Sequence, residues 1–325
     1  MKNVRELCDL WYTKTYKEGL LDLSLEDRRL EEQALKIFNK LGIIDLPMDG
    51  YSCEKLPKTE ESKIKIKKTY SEIFHDELEN DSFSPASYLV QIIKEYGEEV
   101  ESKIEGITAR GLRTFTSLLR EIDFANQLKS ALIPYDENVT TNSNPKQDSS
   151  DHTDVFLTYN GIAYRIWLYQ FSARGLPHDI ERLTGKRGEL PDGIHIICPL
   201  HTEIALPYIS LSKSIKTIKE RLAKCEQNLK ECSERAIKKR ETIESQINNY
   251  SLQLHQKESL CHKEDEITKK ELDIINGWFF YSEAYIKRTV DYINNLNPIN
   301  YTEVVEILSG PERFVGTMQS FLKEN

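Results

Sequence analysis

The chain has 325 residues, 39% hydrophobic and 30% charged, with 44 Lys and Arg against 53 Asp and Glu and a formal net charge of −9. That length allows one large or two ordinary domains, and the polar bias points to much solvated helix surface rather than one deep core. No stretch approaches ~18 consecutive apolar residues, which excludes a membrane-spanning helix. The acidic balance argues against broad coating of nucleic acid but leaves room for a local basic groove.

Met1-Lys2-Asn3-Val4-Arg5 leads into a polar amphipathic stretch without the apolar run and small-residue cleavage site of a secretory leader. The cysteines Cys8, Cys53, Cys198, Cys225, Cys232 and Cys261 are scattered, with no CxxC pair. That pattern reads as reduced thiols, so a cytoplasmic location is expected. Residues 4–42 carry apolar positions at helical spacing (Leu7, Leu10, Trp11, then Leu30, Ala34, Leu35, Phe38, Leu41), with a helix start at Ser24 and a stop at Gly42. Residues 43–60 read as irregular, and Lys63, Lys65, Lys67 and Lys68 form either a solvated helix face or a phosphate-facing patch. Ser84-Pro85 opens a further helix through Leu89, Ile92 and Ile93.

Residues 108–132 predict a strongly amphipathic helix, with Leu112, Phe115, Leu118, Leu119, Ile122, Leu128 and Leu132 on its apolar face. A polar, aperiodic loop follows at 135–152, with room for a short first strand. The apolar period then changes from 3.6 to 2. Residues 154–159 predict a strand, Asn160-Gly161 a tight hairpin turn, and Ile162–Ser172 the return strand. That turn sets residue 154 opposite residue 167. Residues 177–187 predict a short helix, and Gly193–Cys198 a buried strand closed by Pro199.

From residue 211 the apolar positions step by three and four: Ile215, Ile218, Leu222, Cys225, Leu229, Cys232, Ala236, Ile243, Ile247, Tyr250 and Leu254, with Lys239 as a polar exception. A sustained seven-residue repeat predicts a coiled coil. After a polar break at 256–266 the spacing resumes at Leu272, Ile275, Phe279, Ile286 and Ile293. Two readings stay open. The chain turns at 256–266 and returns as an antiparallel hairpin, which is favoured, or one rod continues and pairs with a second chain. The aromatics Trp278 to Tyr285 point to packing on the core. Cys225 and Cys232 fall on one seam, and Cys261-His262 matches no zinc spacing.

The chain carries no Gly-rich phosphate loop, GxSxG elbow or HExxH. Polar and basic residues gather instead where the return strand ends and where the last strand begins. There Arg174, Arg182, Lys186 and Arg187 are candidates for phosphate contacts. His178, His195, His152 and Asp151 are candidate acid–base or ligand groups, with His195 alternatively facing the far side of the sheet.

The order of helix, loop, two-stranded hairpin, short helix and strand over residues 108–200, with Glu121 on the helix and Asp154 opening the hairpin, resembles the PD-(D/E)XK restriction-endonuclease-like superfamily. The resemblance implies a Mg²⁺ or Mn²⁺ site for phosphodiester cleavage, with an acid opening one strand and Glu/Asp/Gln-x-Lys on the next. The implied ligands are Glu121 and Asp154, and the implied catalytic set is Glu121, Asp154, Gln170 and Lys186. The hairpin register puts Trp167 and Tyr169 where the second acid and the lysine belong, a departure from the motif. A bulge bringing Gln170 into place, or a basic residue arriving from the next helix, would restore the set. The resemblance further implies nucleic acid as substrate and a bacterial antiviral-defence or restriction setting beside an ATPase partner. The alternative is an inactive core that serves as a scaffold and binds a protein partner, or dimerises, through residues 211–296.

The expected fold is therefore α+β and predominantly helical. The divisions are 1–107, an N-terminal helical region; 108–210, a small mixed-sheet core; 211–296, a coiled-coil arm; and 297–325, a helical tail.

Overall fold

The structure is a computed structural model and describes residues 3–12, 68–78, 80, 83, 85–96, 104–143, 153–170, 193–200, 202–234, 236–275, 278–296 and 302–306. Within them the chain forms α1 (Val4–Tyr12), α2 (Tyr70–Leu78), α3 (Pro85–Tyr96) and α4 (Ile104–Leu132). Strands β1 (Thr140–Asn142), β2 (Val155–Tyr159), β3 (Ile162–Gln170) and β4 (Gly193–Leu200) follow. A 3₁₀ turn (Thr202–Ile204) leads into α5 (Ala205–Glu231) and α6 (Ile237–Thr268). The chain closes with β5 (Leu272–Ile275), β6 (Trp278–Tyr281), α7 (Glu283–Asn295) and β7 (Thr302–Glu306). The fold is mixed α+β, mostly helical, with a small mixed sheet.

The apolar face read along 108–132 belongs to α4, which starts four residues earlier than expected and runs through two cores. Its first half, Leu112 to Ile122, packs with Val4, Cys8, Ile73, Phe74, Tyr88 and Leu89 of α1, α2 and α3. Its second half, Phe124 to Leu132, packs on the sheet and α7. The β5–β6 hairpin is wedged between the two. Side chains alternate across a strand, so Trp278 and Phe280 enter the helical core while Phe279 and Tyr281 enter the sheet core. Gly111 permits the close approach of α3, because a Cβ there would run into Cδ1 of Ile92.

The five-stranded sheet has the order β1-β2-β3-β4-β7. Asn160 and Gly161 both take positive φ, 50° and 74°, and pair Val155 with Ile166 and Tyr159 with Ile162. This is the two-residue turn the sequence predicts, and the expected register extends from it. Strands β3 and β4 are parallel, from Tyr164 opposite Ile194 to Gln170 opposite Leu200. The last strand does not stop at Pro199. It runs on to Leu200, with Pro199 opposite Tyr169. Strand β7 pairs parallel to β4, so a strand replaces helix at 302–306 of the expected helical tail.

The arm departs from expectation in its turning point. Segment 256–266 is continuous helix within α6, and the reversal falls at 232–236 instead. Helix α5 ends with Cys232 in extended backbone, and Ala236 N donates to Ser233 O at 3.0 Å. The two helices run antiparallel. Cys225 Sγ meets Gln246 near the turn, Lys219 pairs with Glu258 at 2.8 Å, and Ser212 Oγ lies 3.5 Å from Cys261 Sγ nearer the core. Cys225 lies within α5 and Cys232 caps its end. Lys239 is exposed, while its neighbour Arg240 takes the seam position and donates to Cys232 O at 3.2 Å. The arm also ends at Thr268 rather than near 296. Residues 272–295 are a hairpin and a helix packed into the cores, in line with the expected burial of their aromatics. Arm, hairpin and α7 all lie in the connection between β4 and β7.

Of the N-terminal expectations, α1 covers only the start of the predicted 4–42 helix. The remainder, the irregular 43–60 stretch, Lys63, Lys65 and Lys67 lie outside the described residues. Lys68 pairs with Asp76 of α2. No helix among the described residues is long and apolar enough to cross a membrane.

Candidate functional site

Strand β3 has nine residues and β2 five, so β3 outruns its antiparallel neighbour beyond Ile166. Asp154 stands where they part. Its Oδ2 accepts the backbone N–H of Leu168 at 2.6 Å, so a carboxylate satisfies a ladder donor that β2 no longer reaches. Leu168 lies opposite Cys198 of β4, and the Cys198 carbonyl accepts the hydroxyl of Tyr281 at 2.7 Å. Tyr281 is 1% exposed and packs edge-on against Phe124 of α4, with ring centroids 4.9 Å apart.

Glu121 is carried by α4. It is half-buried and accepts Ser117 Oγ at 3.2 Å. Burial pushes the Tyr281 phenol well above its ordinary value; Cys198 adds to this, Arg120 opposes it, and the carboxylates of Asp154 and Glu121 push upward too. The helix acid and the strand acid thus share Tyr281 as an electrostatic neighbour. Burial likewise pushes the Cys198 thiol up, with Tyr285 and Thr289 opposing and a small upward push from Asp154. Such a thiol stays protonated and inert.

The register settles where the remaining predicted residues stand. Tyr164, Ile166, Ile194, Ile196, Cys198 and Leu200 enter the core beneath α4 and α7, with Leu168 packed against it. Gln170 falls in the same alternation, opposite Leu200. The β3–β4 pairing is unbroken from 164 to 170, so no bulge intervenes. The α4 side of the sheet therefore takes Leu168, and Trp167 alternates to the opposite side. Without a bulge, residue 170 keeps the parity the sequence reading gave it, out of step with residue 154.

On the far face the indole N–H of Trp167 donates to Nδ1 of His195 at 3.1 Å, and His195 is 0% exposed. A ring nitrogen that accepts is unprotonated, so the imidazole is neutral with its proton on Nε2. His195 thus faces away from Glu121, as the alternative reading had it, and is not part of this site. Arg174, Arg182, Lys186, Arg187, His178, His152 and Asp151 lie outside the described residues.

Sequence spacing gave no hint of Arg5. Its guanidinium holds Asp123 of α4, with Nε 3.0 Å from Oδ1 and Nη2 3.0 Å from Oδ2. Nη1 reaches Asp273 of β5 at 2.6 Å, and Nη2 also reaches the Tyr281 carbonyl at 2.8 Å. Burial alone lowers the Arg5 pKa, and the hydrogen bonds and charges of Asp123 and Asp273 more than reverse it. Burial raises the Asp123 carboxyl in spite of Arg5 and Gln127. The Asp123 shift governs any pH response, since arginine stays charged throughout.

Mg²⁺ takes hard oxygen ligands, commonly one or two carboxylates with water and substrate phosphate completing the octahedron. Glu121 and Asp154 fit that donor type. Among the described residues no group of three or more His, Cys, Asp or Glu is assembled that could hold a metal, so the fit is to a two-carboxylate site rather than a full protein cage. No protein-family model, no curated protein and no solved structure matches the chain.

Proposed function

We propose that this chain is a divergent metal-dependent nuclease of the PD-(D/E)XK type, with Glu121 and Asp154 as the metal carboxylates and nucleic acid as substrate. The observation that supports the reading is Asp154 at the parting of β2 and β3, with Oδ2 on the Leu168 N–H, together with Glu121 on α4, whose charge acts with that of Asp154 on the Tyr281 phenol. Element order supports it too: α4, β1, the β2–β3 hairpin and a parallel β4 follow the order on which the resemblance rests.

A divalent cation held there would polarise the scissile phosphate and lower the pKa of a bound water. The chain's own part is to hold two carboxylates at a fixed separation, with Asp154 oriented by Leu168 N–H. Gln170, opposite Leu200 at the end of β3, is the candidate third ligand. Lys186 and Arg174, Arg182 and Arg187 are the candidate phosphate contacts. An intracellular defence or restriction setting with an ATPase partner belongs to the same proposal.

The test is cleavage of single- and double-stranded DNA and RNA with Mg²⁺ or Mn²⁺, comparing the chain with Asp154→Asn. Metal-dependent cutting lost in the variant, with unchanged circular dichroism, supports the reading. A folded chain that cuts nothing under any condition sinks it.

A second reading is a scaffold working through its arm. Its support is that Ile237, Leu252 and Leu260 of α6 are 64%, 59% and 55% exposed, apolar surface along one helix that a partner helix would bury. Sedimentation of the chain alone, against the chain with Leu252→Lys and Leu260→Lys, tests self-association through this surface.

A further inference from the structure

The two candidate carboxylates sit on different elements, Glu121 on a helix and Asp154 at a strand end, and a metal site works only if their separation is held. Starting from Asp154, Oδ2 accepts Leu168 N–H, Leu168 pairs with Cys198, and the Cys198 carbonyl accepts Tyr281 O–H. From Tyr281 the path continues through its own carbonyl to Arg5 Nη2, and from Arg5 to both oxygens of Asp123 on α4, one helical half-turn from Glu121. The path joins β2, β3, β4, β6, α1 and α4. Cys198 is 0% exposed, Tyr281 1% and Asp123 5%, while Arg5, Asp154 and Leu168 are half-buried.

Arg5 is more than a simple ion-pair partner in this path. One planar guanidinium spans α4, β5 and the β6 carbonyl at once, a geometry that a lysine ammonium with its single nitrogen does not reproduce. Gln127 holds Asp123 from the next turn of α4 at 2.5 Å, and the Arg5 guanidinium lies over the Phe280 ring at 5.4 Å. The clamp is thus fixed on both its carboxylate and its arginine side.

We infer that Arg5 and Tyr281 are positioning residues of the Glu121–Asp154 pair, locking the helix that carries one carboxylate to the strand end that carries the other. This inference rests on the metal-site reading above. Neither residue touches the metal. They act on it through the placement of the two acids, as outer-shell groups act on metal affinity elsewhere.

The experiment is Mn²⁺ binding to the full chain, read from the electron paramagnetic resonance of free Mn²⁺, at a temperature where every variant is folded by circular dichroism. The variants are Asp154→Asn, Tyr281→Phe, Arg5→Lys and, as a stability control in the helical core, Ile73→Val. Tyr281→Phe keeps the ring and deletes only the donor to Cys198. Arg5→Lys keeps the charge and deletes the fork. The expected result is a roughly tenfold weaker Mn²⁺ affinity in both, the lower end of what outer-shell changes cost, with Ile73→Val binding as the unaltered chain does. Unchanged affinity in Tyr281→Phe and Arg5→Lys overturns the positioning role while leaving the metal site standing. An equal loss in Ile73→Val also overturns it, by reducing the effect to general stability. Equal binding by the unaltered chain and Asp154→Asn overturns the metal-site reading and the inference with it.

Discussion

Trp167 donates its indole N–H to Nδ1 of His195 at 3.1 Å, across two neighbouring parallel strands. The pair occupies the sheet face opposite α4, with ring centroids 5.9 Å apart. Trp167 stands where the simple motif alignment looks for an acid, and its indole there serves the buried His195 instead. Trp167→Phe removes the donor and leaves a buried imidazole nitrogen without it, which should cost about 1–3 kcal/mol. Denaturant melts measure this. Mn²⁺ affinity should stay unchanged in the same variant, and a large fall would mean that the far face belongs to the site after all.

Glu77 provides a pH test. It is a buried acid of α2, its Oε1 accepting Asn80 Nδ2 at 3.0 Å. Burial raises its carboxyl above the ordinary 4.5, with Asn80 and Lys94 opposing. A carboxyl raised in the folded state favours folding while protonated, and that contribution is lost as pH rises through the folded pKa. Glu77→Gln keeps an acceptor for Asn80 and removes the buried charge. The variant should therefore melt higher than the unaltered chain at neutral pH, and the difference should fade as pH drops through the raised value towards 4.5. A gain that grows with acid would reverse the assignment.

The β2–β3 turn rests on two positive φ values. No atom lies within 4 Å of a Cβ added at Gly161, so Gly161→Ala meets no steric clash and its cost is backbone strain, about 1 kcal/mol. Asp136→Ala should cost a similar amount, because Asp136 Oδ2 accepts Asn160 N–H at 2.8 Å and ties the turn to the end of α4. Thermal unfolding of both variants and of the double variant would show whether the two losses add.

The arm has a thin seam. Apart from its two ends at Ala205 and Thr268, only Ile218 of α5 and Ile243 of α6 are buried in it. Truncating either to Ala should loosen the helix pair by roughly 1–2 kcal/mol, below the range for a full core because so little surrounds them. Amide exchange should quicken across 237–268 while the protection of α4 and the sheet holds. Equal loosening everywhere would show that arm and cores unfold as one unit.

Much of the fold is legible where the information is local. Asn160-Gly161 names its own turn because few residues tolerate two successive left-handed conformations, and the register to Ile166 follows from counting. The apolar spacing of α4 is legible for the same reason, since one face of a long helix meets one core after another. The turn of the arm is not. Residues 232–236 contain no Gly or Pro, and a seam stepping by three and four reads alike whether the helix continues or doubles back. Lys239 marked the place as a polar gap, but the gap named no direction. At Leu272, Ile275 and Phe279 helical spacing misled, because Trp278 to Tyr281 are four apolar residues buried on both sides, an arrangement that suits a strand wedged between two cores.

What the sequence determined by itself is the set of amphipathic elements, the hairpin and its register, the helix-rich arm and the acids Glu121 and Asp154, all of them properties of neighbours along the chain. Only the tertiary structure decided where the arm reverses and which sheet face α4 covers. It alone joined Arg5 to Asp123, 118 residues away. A buried carboxylate needs a charged partner, but which arginine of a chain can reach it is fixed by packing and leaves no trace in spacing.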